Sequence, residues 1–172
     1  MIKWIGAGLI LLGAGGFGLG KAAKFYRQMR QLRAFSNALE ILKCELNYTL
    51  LPLPELCRVT AERSERVCGD VLRDYARLLE QGSSRKTAAS TCMENKALCF
   101  PEEAKNSLLD LFSSMGRYDL DGENWLLSRT QLRLEAAIRT GEAEKRPMVK
   151  GYAALGLCTG AALAILLMYD GC

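Results

Sequence analysis

The sequence predicts an all-α protein: a six-helix cytoplasmic bundle flanked by an N-terminal and a C-terminal transmembrane helix. Three observations carry that prediction. Two apolar runs, residues 4–20 and 151–169, bracket a polar middle that holds every charged side chain except Lys3 and Asp170. Apolar residues of the middle recur at helical spacing, and no alternating segment of useful length interrupts them. Five cations, Lys21, Lys24, Arg27, Arg30 and Arg33, follow the first run at every third residue with no acid among them.

Residues 4–20 cover about 26 Å at 1.5 Å per residue, just enough for a bilayer core. A signal peptide is the competing reading, since Lys3 precedes the apolar run. It fails on two counts: no convincing small-x-small cleavage site precedes Lys21, and the cationic block opposes translocation of the polar middle. The span is therefore retained, with the basic block on the cytoplasmic side. Glycines at 6, 8, 13, 15, 16, 18 and 20 create two false motifs, a dinucleotide fingerprint at Gly13-x-Gly15-x-x-Gly18 and a P-loop ending at Lys21. No strand precedes either, and Ala22 stands where a P-loop needs Ser or Thr. Close helix packing in lipid, through Ala14, Gly16, Gly18 and Gly20, accounts for the glycines better.

The first cytoplasmic helix continues the span. Its apolar residues Leu32, Phe35, Leu39, Leu42 and Leu46 are spaced 3, 4, 3, 4, a heptad stripe that reads as a core-facing seam in preference to an intermolecular coiled coil. Pro52 and Pro54 stop it near residues 48–51. A second helix runs from Pro54 to about Arg63, proline being accepted in a first turn. Ser64 is placed to cap a third, which carries Val67, Val71, Leu72, Tyr75, Leu78 and Leu79 and breaks at Gly82-Ser83-Ser84. A weaker fourth helix spans residues 87–98. Pro101 opens the fifth, with Glu102 and Glu103 favourably placed against its dipole, and Gly116 ends it. Asp121 caps the sixth, a long helix through Leu127, Leu134 and Ile138. It runs towards residues 151–169 through Pro147, where a kink is expected. The second span covers about 29 Å. Lys145, Arg146 and Lys150 precede it and Asp170 comes after it, so both ends place residues 21–150 in the cytoplasm and leave residues 170–172 as a short external tail.

Composition narrows the function. The chain of 172 residues has a net charge of +4. The juxtamembrane block accounts for this charge, leaving residues 34–150 near neutrality, so no nucleic-acid surface is expected. The seven cysteines form no C-x-x-C pair and there is no histidine to complete a mixed zinc site. In a reducing cytoplasm they read as small apolar core residues, with no disulfides, metal or cofactor. No nucleophile elbow or intact P-loop is present, and an enzyme would need a polar pocket inside the bundle that the sequence does not reveal. The one compact polar constellation is Arg117, Tyr118, Asp119, Asp121 and Glu123. An EF-hand is excluded because Gly122 falls at loop position four and Thr130 at position twelve. The plain reading is a helix–helix turn with Gly116 as C-cap, Asp121 as N-cap and Arg117 in a local ion pair; the alternative is a rigid, partner-facing loop.

Residues 37–48, Asn-Ala-Leu-Glu-Ile-Leu-Lys-Cys-Glu-Leu-Asn-Tyr, followed by Pro52-Leu53-Pro54-Glu55-Leu56, resemble the amino-terminal signature of the stage III sporulation protein AB family. Met115-Gly116-Arg117-Tyr118-Asp119, with Glu123 four residues on, is similar to its second signature, a Leu-Gly pair, then Asp, then usually Gln. Leu155-Gly156 in the last apolar run matches its ending. The departures are Glu123 in place of Gln, Pro147 before the second span, and the cysteine content. The resemblance implies a non-enzymatic platform subunit of the channel-like complex linking mother cell and forespore, in the inner membrane on the mother-cell side. The bundle would resemble a cytoplasmic domain of the platform proteins of type II secretion and type IV pilus machines, which meet a hexameric ATPase. By that analogy the partners are the sporulation ATPase, stage III sporulation protein AA, and neighbouring membrane subunits. The alternative is a self-associating scaffold, a homo-oligomer held by the heptad stripe without ATPase contact.

Overall fold

The computed structural model describes the backbone of residues 2–49, 51–95 and 97–145, and within them the side chains of Gly20 and of residues 23–143. Among the described residues six α-helices succeed one another: α1 (Ile2–Thr49), α2 (Leu53–Arg63), α3 (Arg66–Glu80), α4 (Arg85–Met93), α5 (Glu102–Ser114) and α6 (Leu120–Thr140). A single π-helical turn, Gly141–Lys145, comes after α6. No strand occurs among the described residues, as the all-α prediction requires. Apart from Gly20, the side chains of the expected first span lie outside the described residues, as does all of 151–169 with Pro147 and the tail. Among the described residues no helix is long and apolar enough to cross a membrane. The bundle below is the compact unit Gln28–Arg139.

The heptad stripe of α1 is the spine of the core. Leu32, Phe35, Leu39 and Leu42 are all at most 2% exposed. A stripe buried within its own domain is unavailable for a coiled coil between chains, so the core-facing reading holds. Gln31 ties the same helix to the α4–α5 connection, donating Nε2 to the Ala97 carbonyl at 2.8 Å and accepting from the Cys99 amide at 2.8 Å. Phe35 meets Phe100 edge to face, with ring centroids 5.0 Å apart. At the far end of α1, Asn47 and Asn124 exchange amide hydrogen bonds of 2.8–2.9 Å, and Lys43 Nζ donates to Ser128 Oγ at 2.8 Å. Those pairs run in opposite chain directions, which makes α1 and α6 antiparallel neighbours.

The remaining helices pack in sequence, α2 on α3, α3 on α4 and α4 on α5. The two helices α2 and α3 come close at Gly69, where a Cβ would lie 2.7 Å from the Ala61 carbonyl oxygen. Any side chain there would have to move backbone. Tyr75, fully buried on α3, donates its hydroxyl to the Phe112 carbonyl on α5 at 2.5 Å. That bond satisfies the one polar atom of an otherwise apolar side chain.

Three local expectations are corrected. Ser64 terminates α2, its hydroxyl turned back to the Thr60 carbonyl, and Glu65 precedes α3 without a side-chain cap. The fourth helix begins two residues earlier than expected and stops at Met93, because Ser84 accepts from the Thr87 amide and Asn95 draws the Ala97 amide into a turn. Asp119, one residue before α6, caps that helix in place of Asp121. On α3 the buried face is Cys68, Val71, Leu72, Tyr75 and Ala76, whereas Val67, Leu78 and Leu79 are only partly covered.

Candidate functional site

The α5–α6 connection is short and held at each end. Helix α5 closes when the Met115 amide bonds the Leu111 carbonyl at 2.9 Å. Gly116 then takes φ of +76°, a left-handed conformation that costs an ordinary residue about 1–2 kcal/mol. Asp119 Oδ1 accepts from the Gly122 amide at 3.0 Å, starting α6 as an N-cap.

Glu123 does what the spacing did not suggest. Its side chain turns back under the loop, and Oε1 accepts from three successive amides, Gly116 at 2.8 Å, Arg117 at 3.1 Å and Tyr118 at 3.1 Å. The residue is 6% exposed. Three donors converging on a carboxylate oxygen fix the loop as a rigid nest. Glu123 is thus the latch of the constellation, whereas Arg117, Tyr118, Asp119 and Asp121 are exposed on its outside. The expected ion pair of Arg117 is not among those formed by the described residues. Only an acceptor oxygen is used, so the departure from Gln noted at this position leaves the three bonds possible: either side chain supplies one.

Beside the loop lies an apolar groove of about 210 Å3. Leu46 of α1, Leu51, and Leu53 and Leu56 of α2 line one part; Met115, Gly116, Tyr118, Leu120 and Glu123 line the other. Both signature-bearing stretches therefore meet here, although about sixty residues separate them in the chain. Tyr48 and Tyr118 are 83% and 56% exposed. A wider cleft of about 500 Å3 between α2 and α3 is lined by Arg58, Glu62, Arg73, Asp74 and Arg77. Its arginines are engaged in exposed ion pairs, Arg73 with Asp70, Arg77 with Asp74 and Arg58 with Glu80, which leaves a solvated charged surface.

The other singled-out residues are placed as follows. Lys24, Arg27, Arg30 and Arg33 are exposed along α1, and Arg30 meets Glu65 at 3.4 Å; the side chain of Lys21 lies outside the described residues. Of the small residues expected to pack in lipid, Gly20 has open space about it, while Ala14, Gly16 and Gly18 lie outside the described side chains. Cys57, Cys68 and Cys92 are core residues and Cys44 is exposed, all as free thiols. Burial, reinforced by Cys92, pushes the Cys57 thiol up to about 12; burial with Glu65 does the same for Cys68, and burial with Asp74 takes Cys92 to about 11. Thiols so protonated are poor nucleophiles and poor ligands. Among the described residues no three His, Cys, Asp or Glu side chains converge as a metal site would require.

Fold and site together define a small helical-bundle protein with a rigidly latched loop beside a surface groove. The chain belongs to the stage III sporulation protein AB family, whose family model matches residues 3–168. A solved structure described as stage III sporulation protein AB is similar to this chain with a TM-score of 0.62 at 21% identity, over 70% of this chain and 98% of that one; at that identity the likeness shows the fold. No curated protein matches the sequence. The family is one of sporulation stage III proteins, and the membrane, platform and ATPase assignments go beyond it.

Proposed function

We infer that this chain is a non-enzymatic membrane platform subunit of the channel-like complex between mother cell and forespore. In this reading residues 4–20 and 151–169 span the mother-cell inner membrane, and the bundle lies in the cytoplasm behind the basic block of residues 21–33. The loop carrying Arg117, Tyr118, Asp119 and Asp121 docks the sporulation ATPase, stage III sporulation protein AA. One observation carries the docking: Glu123 clamps three amides to hold that loop rigid, next to a groove built from the other signature stretch. A preorganised loop loses little entropy on binding, which is what a docking surface needs.

Calorimetry of the full chain in lipid nanodiscs against that ATPase tests the reading. Saturable binding is expected, and Arg117→Glu weakens it by about tenfold or more, the size of a moderate hot spot, without changing helical content. Wild-type affinity in a folded Arg117→Glu protein would reduce the loop to a turn.

A second reading is favoured by α6. Trp125 and Leu132 are 61% and 66% exposed on it, with the Arg129 guanidinium 5.1 Å from the Trp125 ring centroid. A self-associating scaffold would use this stripe, since that of α1 is buried. Leu132→Asp should then convert an oligomer in nanodiscs to a monomer by mass photometry. An unchanged mass distribution removes the second reading.

A further inference from the structure

We propose that the groove beside the α5–α6 loop receives an apolar side chain of a partner polypeptide that also carries an arginine or lysine, with Glu123 Oε2 accepting from the cation. The inference rests on the docking reading above and specifies the chemistry of what docks.

The two oxygens of Glu123 are in different circumstances. Oε1 is saturated by the amides of Gly116, Arg117 and Tyr118. Oε2 takes part in no hydrogen bond among the described residues, yet no side-chain oxygen among them is both fully buried and unpartnered. Oε2 therefore keeps an opening, and the surface that Glu123 lines is the groove. The residue as a whole is only 6% exposed. A carboxylate oxygen at the edge of an apolar groove is poorly hydrated, and a donor delivered by a ligand restores what water supplies elsewhere. A cationic N–H donor does this best, because the hydrogen bond is charge-assisted.

The rest of the groove selects the apolar half. Its walls are leucines with Met115, aliphatic surface that accommodates a Leu, Ile or Met side chain. At about 210 Å3 it is smaller than the roughly 300–1,000 Å3 of small-molecule sites and suits one or two side chains of a polypeptide. Tyr118 at its margin and Tyr48 close by in the chain are exposed aromatics of the kind enriched in protein interfaces. Two cations of the chain lie near. Arg85 donates to the Gly116 carbonyl at 3.2 Å, and Arg117 makes no ion pair among those of the described residues. Neither occupies Oε2. An anionic ligand would meet the carboxylate and be rejected; a purely apolar one would leave Oε2 facing hydrocarbon.

The test uses the full chain in nanodiscs, labelled with 3-fluorotyrosine, with the Tyr118 signal assigned by Tyr118→Phe. Three short peptides are titrated: acetyl-Leu-Leu-Arg-amide, acetyl-Leu-Leu-Gln-amide and acetyl-Ser-Ser-Arg-amide. The Leu-Leu-Arg peptide should shift the Tyr118 resonance saturably, about fivefold more tightly than Leu-Leu-Gln, and Ser-Ser-Arg should not shift it. Glu123→Gln retains an oxygen for the three amides, so its unliganded Tyr118 resonance stays in place while the preference for Arg over Gln disappears. Equal affinities on the wild type, a preference that survives Glu123→Gln, or no response to any peptide each overturns the proposal. ATPase binding that is lost in Arg117→Glu but accompanied by no peptide response would sink this inference and leave the docking reading standing. Peptide selectivity without ATPase binding would do the reverse.

Discussion

Replacing Glu123 by alanine releases the α5–α6 loop and destabilises the bundle by about 3 kcal/mol, the scale expected when charge-assisted bonds to three amides are lost. The acceptor is removed from Gly116, Arg117 and Tyr118 at once, and a hole opens under the loop. Hydrogen exchange reads this directly. Protection of those three amides should fall by about two orders of magnitude, in line with the lost free energy at 1.4 kcal/mol per tenfold. Glu123→Gln should keep most of the protection, because its amide oxygen accepts in the same place. Alanine and glutamine variants with the same protection as wild type would mean that the loop is held by Gly116 and the Asp119 cap alone.

Alkaline pH should dismantle the bundle from within. Burial, first among the causes, raises Cys57 and Cys68 from 9.0 to about 12 and Cys92 from 9.0 to about 11, and it moves the Tyr75 hydroxyl in the same direction. The folded state keeps protons that the unfolded chain releases. The stabilisation is therefore complete below pH 9 and is lost as pH rises through 11–12. Between pH 9 and 11 each thiol contributes up to about 1.4 kcal/mol per pH unit, so the three together remove about 4 kcal/mol per unit there. Against a stability of roughly 5–15 kcal/mol, a loss on that scale is readily measured by pH 10.5. Urea unfolding of the full chain, monitored by its helical signal at pH 8, 9.5 and 10.5, measures the slope. Cys92→Ala should make it shallower by about a third. A midpoint that is flat to pH 10.5 would show the thiols to be better solvated than their burial implies.

The amino-acid sequence by itself determined the all-helical class of the described residues, the six helices among them and most of their limits. Hydrophobic spacing and punctuation are local properties: a 3-4 repeat buries one face of α1 whatever packs on it, and Pro52, Pro54, Pro101 and Gly116 act through their own dihedrals. The same locality picked out Arg117, Tyr118, Asp119, Asp121 and Glu123 as the compact polar constellation, and the order of the quoted stretches pointed to the family whose model matches residues 3–168. What failed were choices between neighbours with equal propensity. Ser64, Asp119 and Asp121 can all cap a helix, and the surrounding fold decides which does. Tertiary structure alone decided the site. Glu123 among Asp119 and Asp121 reads as one more exposed acid until α6 is set at its angle to α5, and only then does its oxygen fall under three amides. The groove likewise needs Leu46, Leu51, Leu53 and Leu56 to close against Met115 and Tyr118 across about sixty residues of chain, a long-range approach that periodicity does not encode.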